Sequence, residues 1–190
     1  MDRMRTLDRW HVRWLALLAA AAMLLSAPLG SSTALAAGST VGFGFHAPDV
    51  SGFPTGSVAL TGGGAFKLSA PAGTVHAGGG FSCTHDVGQG FLSGCLQGEG
   101  VRWDTAGLLA STMFKCTGAA GELLKPATTG RDTVVLQADF YRAGDATDES
   151  FSAQMIVSSG DIARDIDGVQ NVWVQGVGCG SAIVDFSSPS

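Results

Sequence analysis

The chain has few charged side chains and none of the familiar catalytic motifs. Of its 190 residues, 14% are charged and only one is a tyrosine. No long stretch repeats apolar residues at the three- and four-residue spacing of an amphipathic helix, so we expect no helical domain. Neither a G-x-S-x-G nucleophile motif nor a G-x-x-x-x-G-K-[ST] phosphate loop is present. We therefore expect neither a serine nucleophile of that type nor a phosphate-cradling loop.

Basic residues are scarce beyond the first 37 positions. From Gly38 onward, seven Lys and Arg side chains stand against fourteen Asp and Glu side chains, a net charge of −7. Such an acidic surface repels phosphate backbones, and no basic stripe with interleaved aromatic residues is present. We expect no nucleic-acid partner.

Residues 1–37 have the pattern of a signal peptide. Four arginines precede the apolar run 14–27, and small residues favour cleavage near Ala36-Ala37. The run is shorter than the roughly 20 residues that span a bilayer as a permanent helix, although an uncleaved anchor is the alternative. Together with the alanine- and glycine-rich composition, this pattern is typical of a bacterial protein exported by the Sec route. We expect a secreted, extracellular protein with no membrane span after cleavage.

The four cysteines all lie after this leader, and an even number in an exported chain indicates two disulfides. None of them has the paired C-x2-C spacing of a zinc site. Three pairings are possible. We favour Cys83 with Cys95 and Cys116 with Cys179, because the first two are close in sequence and could join two strands of one hairpin.

Short runs of alternating apolar and polar residues predict an antiparallel all-β domain. The clearest run is 133–142, and the run 151–157 completes a hairpin with it. Two further strands are predicted at 171–177 and 182–186, joined across 178–181. Fainter strands are predicted at 41–45, 57–60, 65–68, 74–77, 90–92 with 95–97, and 111–115. We predict one domain, residues 38–190, built as an antiparallel β-sandwich or small β-barrel of about eight strands.

Glycine clusters are interpreted as punctuation between these strands, at 62–64, 78–80 and 176–180. Two short helices are predicted as well, one at 104–110 with Asp104 as its N-cap and one at 121–125 ended by Pro126. The start of the domain, 38–54, is expected to be partly mobile, as chain starts often are.

His85 and Asp86 form the first candidate site, on a glycine-rich loop between two cysteines. A histidine near a carboxylate can act as a general base. Adjacent strand residues point to opposite sides, however, so the two cooperate only if the backbone turns there. A solvated loop pair is the alternative. His46, His76 and His85 could together ligate a metal, although their separations match no familiar ligand spacing.

Two acidic loops could hold calcium through oxygen ligands. The first loop contains Asp145, Asp148 and Glu149, and the second contains Asp161, Asp165 and Asp167. Solvated turns are the alternative for each loop, and we expect no other cofactor.

Two groups of residues could bind a ligand. Arg102, Trp103 and Asp104 suit sugar stacking or a partner hot spot if the Trp is exposed, and the alternative is a core Trp beside a capping Asp. Asp139, Tyr141 and Arg142 end the clearest strand. In a barrel, Asp139 and Tyr141 could line a cavity and do acid/base chemistry, whereas in a sandwich they would meet water.

These observations leave two function classes open. The first is a non-catalytic extracellular binding or interaction domain, whose partner is an extracellular protein, a carbohydrate or a small ligand. The alternative is a small β-barrel enzyme or carrier that binds a small ligand in a cavity. The missing catalytic motifs favour the binding domain.

Overall fold

The computed structural model describes residues 39–54, 56–68, 73–88, 92–142 and 151–187. These residues form ten strands, and none of them is helical. The strands are β1 (Thr40–Gly52), β2 (Ser57–Lys67), β3 (Thr74–His85), β4 (Arg102–Leu109), β5 (Ser111–Phe114), β6 (Lys125–Thr128), β7 (Thr133–Tyr141), β8 (Phe151–Ser158), β9 (Val172–Val174) and β10 (Gly178–Phe186).

Eight of the strands close into an antiparallel barrel. Its order is β1, β2, β3, β4, β7, β8, β9, β10, and β10 pairs with β1 to complete the ring. Each barrel strand therefore neighbours the next barrel strand along the chain, which is an up-and-down arrangement without free edges. The remaining two strands, β5 and β6, form a separate hairpin between β4 and β7. The predicted all-β fold is confirmed, and of the two predicted architectures the protein adopts the barrel.

Alternation along the strands fills the interior with apolar side chains. On β7, Val134, Leu136, Ala138 and Phe140 all point into the core. Phe140 stacks on Phe151 at 4.8 Å between ring centroids and meets Phe81 edge-on at 5.3 Å. Because successive strand residues face opposite ways, the intervening residues of β7 lie on the outer wall.

The glycine clusters 62–64 and 78–80 lie within strands, so their interpretation as punctuation was wrong. Gly62 pairs with Gly79, and Gly63 pairs with Gly78, in the middle of β2 and β3. A Cβ at Gly62 would collide with the Trp103 ring and the Gly78 carbonyl. Glycine is needed here because backbone and ring approach closely, and 57–60 and 65–68 consequently belong to one strand.

A second, smaller core covers part of the outer wall. Val135, Ile156 and Trp173 point outward from β7, β8 and β9, and the β5–β6 hairpin lies over them. Phe114 of the hairpin contacts Trp173 at 5.6 Å between ring centroids, and the indole Nε1 donates to the Lys115 carbonyl at 2.8 Å. The hairpin thus buries outward side chains that water would otherwise meet.

Four local predictions need correction. The segment predicted as a helix at 104–110 is β4, which is bonded to β7 along its length, and 121–125 is a turn followed by the first residue of β6. The predicted strand at 95–97 is irregular. The last hairpin turns at 175–177, so that β10 begins at Gly178. The partial mobility expected for 38–54 stays a prediction, and within this range Thr40–Gly52 forms β1, which is hydrogen-bonded to β2 and β10.

Both disulfides join the cysteines that the sequence favoured. Cys83–Cys95 spans 6.3 Å between Cα atoms, and Cys116–Cys179 spans 4.8 Å. The second bond fastens the loop between β5 and β6 to β10 of the barrel. Paired cysteines are consistent with an extracellular protein, because reducing compartments disfavour them. Within the described ranges, no helix has the length and apolar character needed to cross a membrane.

Candidate functional site

Strand pairing brings several of the candidate residues together on the outer wall. Arg102 lies opposite Tyr141, and Asp104 lies opposite Asp139, across the β4–β7 pair. Asp139 in turn lies opposite Ser152 of β8. We call this surface the tyrosine face, and it comprises Arg102, Asp104, Gln137, Asp139, Tyr141 and Ser152.

The tyrosine face points away from the barrel interior. Successive residues of a strand point to opposite sides, and the residues that alternate with those of the face point inward. Trp103, between Arg102 and Asp104, is fully buried, and its indole Nε1 donates to the Thr61 carbonyl at 3.0 Å. The indole is therefore part of the core and unavailable for stacking on a ligand. Arg142, directly after Tyr141, is half-buried.

The tyrosine face combines an aromatic ring with several hydrogen-bonding groups. The Arg102 guanidinium lies 4.2 Å from the centroid of the Tyr141 ring, and Arg102 Nε is 3.2 Å from Asp104 Oδ2. These two charged side chains are about half exposed. The Ser152 hydroxyl donates to Asp139 Oδ1 at 2.7 Å and accepts from Gln137 Nε2 at 2.8 Å. The tyrosine ring, with Arg102 over one of its faces, and the carboxylate and amide groups are thus held by contacts with one another.

A flat surface without side chains borders the tyrosine face. Gly78 of β3 lies opposite Asp104, followed across the sheet by Gly63 of β2 and Gly44 of β1. A Cβ at Gly78 would lie 2.9 Å from Asp104 Oδ1, so glycine leaves room for that carboxylate. A ligand held at the tyrosine face could extend over this floor without meeting side chains.

His85 and Asp86 do not act on each other. His85 Nδ1 is 2.8 Å from the Ser57 hydroxyl, which is also hydrogen-bonded to the Thr84 hydroxyl. Asp86 Oδ1 accepts from the Gln97 amide at 2.8 Å. The sequence analysis missed Ser57 as the partner of His85. The two residues lie far apart in the sequence, and only the pairing of β2 with β3 brings them together.

The other histidines are spread over the outer wall. His46 lies opposite Thr61 and Ile183, and His76 lies opposite Ala65. Across the part of the chain that the structure describes, no three His, Cys, Asp or Glu side chains are grouped as metal ligands.

The carboxylates of the second acidic loop have separate partners. Asp161 Oδ1 accepts from the backbone amides of Ala163 and Gln170. Asp165 Oδ2 pairs with Lys125 Nζ at 2.9 Å, and Asp167 is exposed. The first acidic loop, with Asp145, Asp148 and Glu149, lies outside the described residues.

Glu122 forms a charged network that the sequence analysis missed. Its carboxylate accepts from the backbone amides of Cys116 and Thr117, from the Thr117 hydroxyl and from Lys125 Nζ at 2.8 Å. Burial alone would raise the pKa of Glu122, but the hydrogen bonds from Lys125, Thr117 and Cys116 together lower it to about 2. Burial likewise opposes the charge on Lys125, yet the bonds to Glu122 and Asp165 raise its pKa. The only hint of this ion pair in the sequence was the three-residue spacing between Glu122 and Lys125.

Searches against protein families, curated proteins and solved structures find no match to this chain. Functional inference therefore depends on the chemistry of the described surfaces. Among these surfaces, the tyrosine face brings together the largest number of candidate binding residues.

Proposed function

We propose that this protein is a secreted, non-catalytic binding domain whose tyrosine face binds a neutral carbohydrate. The observation that carries the proposal is the register of β4 against β7, which sets Arg102 beside Tyr141 and Asp104 beside Asp139 on the outer wall. The leader sequence and the two disulfides support an extracellular location.

Sugars require the combination of groups that this face offers. An aromatic ring provides an apolar surface for the C–H faces of a pyranose, while its hydroxyl stays in water. Carboxylate and amide side chains provide the directional hydrogen bonds that fix ring hydroxyls. Here Tyr141 supplies the ring, and Asp104, Asp139 and Gln137 supply these partners. The contact with Arg102 holds the tyrosine ring in place before a ligand arrives.

Charge favours a neutral sugar over an acidic one. The tyrosine face carries two carboxylates and one guanidinium, and the chain from Gly38 onward has a net charge of −7. An anionic polysaccharide would meet repulsion both at the face and over longer distances. A neutral polyhydroxylated chain would meet neither.

The cavity alternative has less support. It required Asp139 and Tyr141 to line the barrel interior, whereas the inward positions of β7 belong to the apolar core. Both residues lie on the opposite, outer side of the strand. The observation that motivated an enzyme or carrier therefore favours a surface site.

Binding to a panel of neutral and acidic oligosaccharides, followed by titration calorimetry on the best ligand, tests the proposal. Tyr141→Ala should weaken binding about tenfold, the loss expected for one aromatic contact. Asp139→Asn, which keeps the shape of the side chain, should weaken it several-fold. Ile183→Ala, an equally simple change at an exposed outer residue of β10, should leave the affinity unchanged.

Two outcomes would contradict the proposal. One is the absence of binding to every neutral oligosaccharide by a protein whose circular dichroism shows a folded β domain. The other is a sugar affinity that Tyr141→Ala leaves intact.

A further inference from the structure

The barrel ring has no edge strand, but one of its strands is very short. β9 has three residues, Val172–Val174, and it pairs only with Gly178–Gly180 of β10. The second half of β10, Ser181–Phe186, is bonded to β1 on its other side. No described residue forms a strand where a longer β9 would continue beside this half. The ring therefore has a gap along residues 182–186, which we call the β10 gap.

A side chain replaces the missing strand at the start of the β10 gap. Asn171 Nδ2 donates to the Ala182 carbonyl at 3.0 Å, and the Ala182 amide donates to Asn171 Oδ1 at 2.7 Å. One asparagine amide thus makes the pair of bonds that a neighbouring strand residue would make. The main chain of β10 beyond Ala182 needs other partners.

Beyond Ala182, the main chain of two residues faces the β10 gap. Successive residues of an antiparallel strand bond alternately to the strands on its two sides. Ala182 bonds away from β1, and therefore Val184 and Phe186 do as well. Ile183 and Asp185, which alternate with them, bond to β1. Among the described residues, no group is hydrogen-bonded to the main chain of Val184 or Phe186 on the side of the gap. Their N–H and C=O groups are left for water or a partner.

The side chains along the β10 gap also suit an added strand. Ala182, Val184 and Phe186 pack against the main core and are only half-buried. Ile183 and Asp185 point outward and are exposed. A strand laid in the gap could place apolar side chains over the inward group and polar ones beside the outward group. A sheet edge of this kind is a template for strand addition.

We propose that the β10 gap binds an extended basic peptide segment of another protein, which adds a strand beside Val184 and Phe186. The unpaired main-chain groups specify an extended backbone, because a second strand supplies the matching donors and acceptors. The half-buried Val184 and Phe186 specify apolar side chains at every second position of the segment. Asp185 specifies a positive charge between them, since opposite charges on directly paired residues stabilise a sheet.

Charge distinguishes this partner from a second copy of the chain. Asp185 is the only charged residue of the segment 181–187, and the chain from Gly38 onward has a net charge of −7. Two copies paired through their β10 strands would bring like charges together. An acidic peptide would meet the same repulsion, whereas a basic peptide is attracted both by Asp185 and over longer distances.

Amide hydrogen exchange, followed residue by residue by NMR, tests the proposal. Without a peptide, the amides of Val184 and Phe186 should exchange at least about tenfold faster than those of Ile183 and Asp185, which are bonded to β1. The probe is a heptapeptide that alternates lysine and valine, titrated to about 1 mM because short strand contacts are weak. It should slow the exchange of Val184 and Phe186 at least about fivefold and leave that of Ile183 and Asp185 unchanged.

Two controls separate main-chain recognition from charge. The same peptide with methylated valine amides cannot donate these hydrogen bonds and should have no effect on the exchange. Asp185→Asn should weaken binding of the lysine peptide several-fold, with a smaller effect in high salt. Asp132→Asn, which removes an exposed carboxylate before β7 and changes the net charge equally, should have little effect.

Several outcomes would overturn the proposal. If the amides of Val184 and Phe186 exchange as slowly as those of Ile183 and Asp185 without a peptide, the gap is already filled. Exchange that the lysine peptide leaves unchanged overturns it too, as does an equal effect of the methylated peptide. Exchange that slows when the protein concentration alone is raised would assign the gap to a second copy instead. None of these results bears on the carbohydrate proposal, whose residues lie on other strands.

Discussion

Two parts of the barrel's outer wall are built in opposite ways. The covered wall, formed by Val135, Ile156 and Trp173, carries large apolar side chains beneath the β5–β6 hairpin. The bare wall, formed by Gly44, Gly63 and Gly78, carries no side chains at all. The same barrel thus gains a second core where the chain folds back over it, and a flat sheet face where it does not. The residue types at the outward positions of a strand therefore depend on whether another part of the chain packs over them.

The largest expected loss of stability comes from removing the Cys116–Cys179 disulfide, which holds the β5–β6 hairpin against the barrel. Replacing both Cys116 and Cys179 by Ala should lower the free energy of unfolding by about 4 kcal/mol, because that bond closes a separation of 63 residues. Chemical denaturation measures the loss, and near-ultraviolet circular dichroism should show a changed Trp173 environment. The matched change at Cys83 and Cys95, separated by 12 residues, should cost about 3 kcal/mol and leave that Trp173 signal intact. A Trp173 signal that both double variants change equally would contradict this role of the hairpin.

An intermediate effect is expected from the ion pair between Glu122 and Lys125 within the same hairpin. The pKa of Glu122 is about 2 in the folded protein and 4.5 in the reference state. A lowered pKa contributes stability above pH 4.5, and this contribution is lost as the pH falls through 4.5 toward 2. Glu122→Gln should therefore cost about 2–3 kcal/mol at pH 7 and much less at pH 2.5.

Urea denaturation of both proteins between pH 2.5 and pH 7 measures that difference. Asp132→Asn is a suitable control, because Asp132 is exposed and outside the Glu122 network. If the Glu122→Gln deficit were equal at all pH values, lost packing rather than charge would be its cause.

The covered wall was easier to predict from sequence than the bare wall. Alternation in the β7 and β8 segments identified both strands and grouped the side chains of each face, since that pattern is local. It did not decide which face of β7 points into a barrel, because Asp139 and Tyr141 were expected to be able to line a cavity there. The glycines of 62–64 and 78–80 are local turn signals, yet each cluster faces the other across two strands, and only this pairing explains them. The segment 104–110 was mistaken for a helix because its strand pairing lies with residues about thirty positions away.

The residues of the candidate site could be selected from the sequence, but their arrangement could not. Arg102, Asp104, Asp139 and Tyr141 were all selected from the sequence, because exposed charges beside an aromatic residue are recognisable locally. Their common location on one face depends on the register of β4 against β7, across the inserted hairpin. Ser57 beside His85 and Glu122 beside Thr117 depend on contacts of the same non-local or turn-specific kind.

The smallest effects should separate the two sides of the glycine-rich sheet. Gly62 faces inward against the Trp103 ring, whereas the nearest atom to a Cβ at Gly44 would be 4.0 Å away. Gly62→Ala should cost about 1–3 kcal/mol through overpacking. Gly44→Ala should be neutral or stabilise by up to about 1 kcal/mol, because alanine loses less backbone freedom on folding.

Thermal and urea denaturation of the two single variants and of the double variant measure these effects. Gly107→Ala adds a further reference, since a Cβ there meets nothing within 4 Å. A large loss of stability on Gly44→Ala would mean that other atoms pack against the bare wall. The bare wall would then resemble the covered wall. A neutral Gly44→Ala that weakens sugar binding would instead tie the absence of a side chain on the bare wall to the ligand rather than to the fold.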